Sequence, residues 1–118
     1  MSFAVVTVLY RSRDALRTLL PLLPRGIQLV VVDNGPDDGG AALAAEHGAT
    51  VIERRDNPGF GAACNLALRS VGKEVTVLLN PDTEPLADAL AELAARARAR
   101  GLHAPRLLNR DGSPQRSA

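Results

Sequence analysis

Apolar residues in this chain fall into four short, β-branched runs separated by stretches whose apolar positions recur at helical spacing. Phe3 to Tyr10 reads as a first buried strand, since a continuous apolar run suits a strand covered on both faces. Ser12 is placed to cap a helix carrying Leu16, Leu19, Leu20 and Leu23 on one side, and Pro21 must kink or end it. Ile27 to Val32 is a second buried strand, closed by the turn signal Asp33-Asn34-Gly35-Pro36. Asp37 or Asp38 opens an alanine-rich helix that runs to about His47 and stops at Gly48. Thr50 to Glu53 is a short third strand, and a loop over Asn57-Pro58-Gly59-Phe60-Gly61 leads into a helix from about Ala62 to Val71. Glu74 to Leu79 is the fourth strand. Leu86, Leu90, Leu93, Ala94 and Ala97 mark one face of a fourth helix that Gly101 ends. Beyond it the pattern weakens, with a short strand at Arg106-Leu107-Leu108 and a hairpin-type turn at Asn109-Arg110-Asp111-Gly112. Strict alternation of β and α elements predicts an α/β fold with a parallel sheet flanked by helices on both faces.

Composition narrows the class. At 118 residues the chain is a single domain, large enough to bury a core without staples. A net charge of +1 with scattered arginines lacks the basic stripe of a nucleic-acid-binding surface. The local cluster Arg96, Arg98 and Arg100 suits the C-terminal end of a helix. Cys64 is the only cysteine, so no intramolecular disulfide forms and a reducing compartment is natural; it reads as a small buried apolar residue. No segment approaches the ~20 apolar residues that span a bilayer, and the N-terminus lacks the charged start and long apolar run of a signal peptide. The expectation is a cytoplasmic protein, at most peripheral at the inner face of the membrane.

The candidate chemistry sits where strands hand over to helices. In a parallel sheet these loops share one edge, and ligands bind there. Asn80-Pro81-Asp82-Thr83 has turn chemistry, yet it also puts a carboxylate at a strand end with Glu84 two positions on, which suits a divalent cation bridging to phosphate. Asp33 either caps a turn or accepts a hydrogen bond from a base or sugar hydroxyl. Gly59 and Gly61 either serve tight turn geometry or let the backbone approach an anion at a helix start. Gly59-Phe60-Gly61-Ala62-Ala63-Cys64 carries two glycines of the dinucleotide fingerprint, but Cys64 replaces the third and the motif follows the third strand rather than the first. That argues against a nicotinamide or flavin enzyme.

Taken in order, Val5-Val6-Thr7-Val8-Leu9-Tyr10-Arg11, Val30-Val31-Val32-Asp33-Asn34-Gly35, Asn57-Pro58-Gly59-Phe60-Gly61-Ala62-Ala63-Cys64-Asn65 and Leu78-Leu79-Asn80-Pro81-Asp82 resemble family 2 glycosyltransferases, most of all the rhamnosyltransferase-like subgroup of cell-wall and O-antigen synthesis. The tail from Ala104 to Gln115 resembles the same subgroup. The resemblance implies a GT-A fold, a Rossmann-like sheet, of which this chain is the N-terminal, donor-binding part. It implies inverting transfer from a nucleotide-diphosphate sugar to an acceptor hydroxyl, carbohydrate or lipid-linked. It places Thr7, Tyr10 and Arg11 along the base and Asp33 on the base. It places Asn57, Gly59, Gly61 and Asn65 beside nucleotide and sugar, with Asn80 at the ribose and Asp82 on Mg²⁺ or Mn²⁺. Asn80 stands where the D-x-D motif has its first aspartate, so it can hydrogen-bond but brings no charge. The general base of the family lies beyond the matched segment, and neither Glu84 nor Asp111 is assigned that role. The acceptor half is absent, so the expectation is a truncated domain that self-associates through uncovered apolar surface. The alternative is a non-catalytic nucleotide-sugar-binding module or a self-associating remnant.

Overall fold

The computed structural model describes residues 3–86 and 88–97. Strand β1 spans Phe3–Leu9, helix α1 Arg13–Leu19, β2 Gln28–Asp33 and α2 Gly40–Glu46. They are followed by β3 at Thr50–Glu53, α3 at Phe60–Arg69, β4 at Val75–Leu78 and α4 at Ala89–Arg96. The strands form one parallel sheet in the order β3-β2-β1-β4. Every strand and helix expected up to residue 97 is present, and the β3 bounds agree with the sequence reading. Gly101, Arg106–Leu108 and the turn at Asn109–Gly112 lie outside the described residues.

Side chains alternate across a strand, and the two faces of this sheet are covered by different helices. Phe3, Val5, Leu9, Leu29, Val31 and Val77 pack with Leu16 and Leu19 of α1, Ala44 of α2, and Leu90 and Ala94 of α4. Val6, Val30 and Val32 pack on the opposite face against Ala63 and Ala67 of α3. The small residues of α3 let it lie close to the sheet, so the loop that precedes it is held near the strand ends.

The element boundaries depart from the sequence reading where polar side chains capture backbone groups. Tyr10 is outside β1, because Ser12 Oγ accepts from its N–H at 3.1 Å and donates to its carbonyl at 3.0 Å. Ser12 therefore makes no side-chain cap on α1; Arg13 N–H donates instead to Asp38 Oδ2, at 3.2 Å. Pro21 ends α1 as expected, in a 3₁₀ turn over Leu20–Leu22. Asp33 is the last residue of β2, paired with Leu9 on one side and Glu53 on the other, and its Oδ1 caps the turn that follows by accepting from Gly35 N–H. Helix α2 begins later than expected, since the Asp37 and Asp38 carboxylates accept from Gly39 and Gly40 N–H at 3.1 and 2.9 Å. It ends as expected at Gly48 (φ +94°), where Gly48 N–H bonds Ala45 O and Ala49 N–H bonds Ala44 O in the reciprocal helix-end pattern. Helix α3 starts two residues early, its first turn closed by Ala63 N–H on Gly59 O. Leu86 precedes α4 and is exposed rather than on its buried face.

Candidate active site at the strand-order reversal

The strand order reverses at β1, with β2 and β3 on one side and β4 on the other. Such a reversal opens a crevice at the carboxyl ends of the strands. The register widens it here. Val6 pairs with Leu78, the last residue of β4, while Thr7, Val8 and Leu9 run on beyond that partner. Leu79 N–H makes a final bond to Val6 O, and the chain then leaves the sheet at Asn80-Pro81. A cleft of about 450 Å³ fills the notch.

All four strand-end loops reach this cleft. Tyr10, Ser12 and Ala15 come from the β1–α1 connection and Asn34 from the end of β2. Asn57 and Phe60 come from the β3–α3 loop, and Asn80, Pro81 and Asp82 from the end of β4. Of the residues singled out in the sequence, Tyr10, Asn57, Asn80 and Asp82 meet on its wall. Thr83 N–H donates to Asn80 O at 3.1 Å, so Asn80-Pro81-Asp82-Thr83 is a β-turn with Pro81 at its second position. The two readings of that stretch are compatible: the turn is what presents Asp82 to the cleft.

The other predicted residues lie elsewhere. Thr7 is buried inside β1 and its Oγ1 has no partner among the described residues. Arg11, with φ +53°, places its guanidinium 5.7 Å from the Tyr10 ring centroid, a cation–π contact that orients the ring. Asp33 is 1% exposed and fully engaged. Its Oδ1 accepts from Gly35 N–H at 3.1 Å and its Oδ2 from Arg55 Nη1 at 2.9 Å. Arg55 also bonds Gly35 O and Glu53, and the hydrogen bond to Asp33 raises its pKa above the ordinary guanidinium value. Gly35 packs against the neighbouring loop so closely that an added Cβ would lie 3.1 Å from Arg11 N. Gly59 and Gly61 flank Phe60, and an added Cβ at either would meet nothing within 4 Å. Gly59 has φ +93°, a backbone reason for glycine; Gly61, inside α3, has none within the fold. Asn65 is exposed one turn further along α3.

Asn34, Gly35 and Phe60 stood inside the quoted strand-end motifs without a role of their own, and Arg55 was not singled out in the sequence. Asn34 is 3% exposed, and its Nδ2 donates to Gly59 O at 3.3 Å while Oδ1 has no partner among the described residues. Phe60, an aromatic between two glycines in a chain with only 3% aromatics, was legible as unusual, and Asn34-Gly35 as a turn. Cys64 packs as expected, and burial pushes its thiol pKa up, away from reactivity.

The family model for glycosyl transferase family 2 matches residues 4–107. The chain belongs to glycosyl transferase family 2. Uncharacterized glycosyltransferases of Mycobacterium bovis and Mycobacterium tuberculosis are 30% identical over 91 residues, which is 77% of this chain and 41% of theirs. The chain thus spans well under half the length of these curated relatives. Among solved structures, a Pyrobaculum calidifontis mannosyltransferase in complex with GDP-mannose and Mn²⁺ superposes with a TM-score of 0.68 at 25% identity, over 76% of this chain and 30% of that one. The Mycobacterium tuberculosis glucosyl-3-phosphoglycerate synthase, solved with Mn²⁺, UDP and glucosyl-3-phosphoglycerate, gives 0.65 at 21% identity, over 83% and 40%. The fold is therefore that of the GT-A glycosyltransferases. Among the described residues, no helix of this family 2 domain is long and apolar enough to cross a membrane.

Proposed function

We propose that this domain binds the nucleotide-diphosphate sugar of an inverting glycosyl transfer, in the cleft between the ends of β1 and β4. The observation that carries the reading is the meeting of Tyr10, Asn57, Asn80 and Asp82 on one cleft wall at the strand-order reversal. Family membership and the mannosyltransferase solved with GDP-mannose and Mn²⁺ support it. Tyr10, with Arg11 behind its ring, lies along the base. Asn57 and the Gly59–Gly61 start of α3 flank the nucleotide, leaving open backbone for the diphosphate to approach. Asn65 sits further along that helix, towards the sugar. Asp33 acts on the base side by holding Gly35 and Arg55 in place beneath the β1 loop. Thr7 underlies the same loop.

The donor set fits a hard cation. Among the described residues no group of three or more His, Cys, Asp or Glu converges. Asp82 offers one carboxylate, which suits Mg²⁺ or Mn²⁺ that draws its remaining ligands from phosphate and water, while Asn80 on the same cleft wall serves the ribose. When bound, the ion supplies positive charge to the departing diphosphate. The general base that deprotonates the acceptor hydroxyl comes from outside this segment, and the acceptor is a carbohydrate or lipid-linked sugar of cell-wall or polysaccharide synthesis. Membership of the rhamnosyltransferase-like subgroup, with a site at the inner membrane face, completes the reading.

Calorimetric titration with UDP, GDP and dTDP, with and without Mn²⁺, tests it. At least one nucleotide binds, chelation weakens it, and Asp82→Ala lowers affinity by about tenfold or more while the unfolding midpoint stays unchanged. Binding that survives Asp82→Ala and ignores chelator removes the metal role. Absence of all nucleotide binding favours a self-associating remnant, for which light scattering gives the oligomeric state.

A further inference from the structure

We propose that the amino edge of the sheet, at the end of the molecule opposite the cleft, docks on an anionic lipid bilayer. Leu22 enters the headgroup layer, and Arg25, Arg69 and Lys73 meet lipid phosphates. The inference gives the membrane-face part of the reading above a surface and does not depend on the donor cleft. In a parallel sheet each crossover helix runs back along the strands, so α1 and α3 end where β2 and β4 begin. Those two connections are tied together. Gln28, the first residue of β2, donates from Nε2 to Ser70 O at 2.9 Å, and its Oε1 accepts from Gly72 N–H, also at 2.9 Å. The connection over residues 23–27 is thereby held beside that over 70–74, although α1 and α3 cover opposite faces of the sheet.

The surface so formed carries cations without counter-ions. Arg25, Arg69 and Lys73 are exposed, and among the described residues none of them is in an ion pair. Arg17 and Arg96 lie in the last turns of α1 and α4, towards the same edge. A cation in a last turn suits the helix dipole, which accounts for Arg17, Arg69 and Arg96. It does not account for Arg25 or Lys73, which lie in the connections. Among the described residues, Glu46 and Glu74 are the acids on this side, whereas Asp37, Asp38, Asp82 and Glu84 lie at the cleft edge. The net charge is only +1, so this uneven placement is what turns the amino edge towards an anionic surface.

Leu22 decides for a lipid partner. Leu20 and Leu23 on either side are 5% and 9% exposed, yet Leu22 is 46% exposed in a 3₁₀ turn, with Pro21 before it and Pro24 two residues on. A soluble polyanion satisfies the cations and leaves this leucine in water. A bilayer interface takes both.

Vesicle flotation tests the proposal, on phosphatidylcholine alone and on phosphatidylcholine mixed with phosphatidylglycerol, at low and at physiological salt. Binding is expected only with phosphatidylglycerol, and it weakens as salt rises. Arg25→Gln and Lys73→Gln each lower the partition coefficient about fivefold, and Leu22→Ser lowers it about tenfold. Arg13→Gln removes an exposed cation at the opposite edge and leaves partition unchanged. Every substituted position is exposed, so unfolding midpoints stay at the wild-type value. Equal binding to both vesicle types overturns the proposal, as does a loss for Arg13→Gln as large as for Arg25→Gln. Partition that Leu22→Ser leaves intact also overturns it and assigns the surface to a soluble polyanion. Nucleotide titration of the same samples keeps the two readings apart. Nucleotide binding without vesicle binding overturns this proposal alone, and vesicle binding without nucleotide binding strikes only the donor-site reading.

Discussion

Arg55 and Asp33 are joined by an ion pair whose two ends sit in different surroundings. The Asp33 carboxylate is 1% exposed, whereas the Arg55 side chain is 37% exposed. Removing the arginine leaves a buried carboxylate with only Gly35 N–H to compensate it, so Arg55→Ala is expected to lower the urea unfolding midpoint more than Glu53→Ala does. Glu53→Ala removes the exposed arm of the same network and costs less than about 1 kcal/mol. Equal losses would show that the carboxylate is not as enclosed as its contacts imply. Gly61 makes the opposite case. It sits in α3 with open space where a Cβ would go, so Gly61→Ala stabilises the free protein by about 0.5–1 kcal/mol. Under the proposed function the same methyl obstructs the nucleotide, and affinity falls about tenfold or more. A gain in stability with unchanged affinity would assign Gly61 no part in binding. Asp33 was legible as a special carboxylate at a strand end, but its occupation by Arg55 was not. Two residues 22 positions apart meet only because β2 and β3 are neighbours with aligned ends.

At the level of elements, Asp38 joins two helices. Its Oδ2 takes Arg13 N–H at the start of α1 and its Oδ1 takes Gly40 N–H at the start of α2. Partial burial pushes its pKa up, but those backbone N–H groups outweigh it and hold the carboxyl below its ordinary value of 3.8. A carboxyl with a depressed folded-state pKa adds stability above its unfolded value and loses it as pH falls through the folded one. Asp38→Ala is therefore expected to cost about 1–2 kcal/mol near neutrality, like the loss of a helix cap. The deficit narrows below pH 3.8, where the wild-type carboxyl also takes up its proton. Chemical unfolding curves across pH 2–7 on both proteins read this directly (the interval spans the titration of a carboxyl); a deficit independent of pH rejects the charged cap. The same contacts explain why the strands were legible while the helix starts were not. β-branched apolar runs such as Val30-Val31-Val32 admit one reading. The start of a helix depends on which carboxylate captures which N–H, and Asp37, Asp38 and Ser12 each offered more than one choice.

Across the whole molecule, the sheet makes the cleft and the loops furnish it. The free protein holds no cluster of metal-ligating side chains among the described residues, so EDTA alone is expected to leave its thermal midpoint unchanged. With a bound nucleotide and Mn²⁺ present, the midpoint rises with ligand concentration, by about 2.7 kcal/mol of added stability at a hundredfold excess over Kd. EDTA then removes much of that gain. A large destabilisation by EDTA without nucleotide would point to a metal held by the protein alone.

Local pattern determined the alternating strands and helices, the parallel sheet and the placing of Tyr10, Asn57, Asn80 and Asp82 at strand ends, because periodicity and turn chemistry are properties of neighbouring residues. The reversal of strand order at β1 and the early exit of β4, which opens the cleft, were decided by tertiary packing. So was the choice among strand-end residues: Asp33 turned inward to an arginine, while Asn34 and Phe60 line the cleft. Those outcomes depend on which strands pair and in what register, and that is settled when α3 packs one face of the sheet and the other helices pack the opposite face.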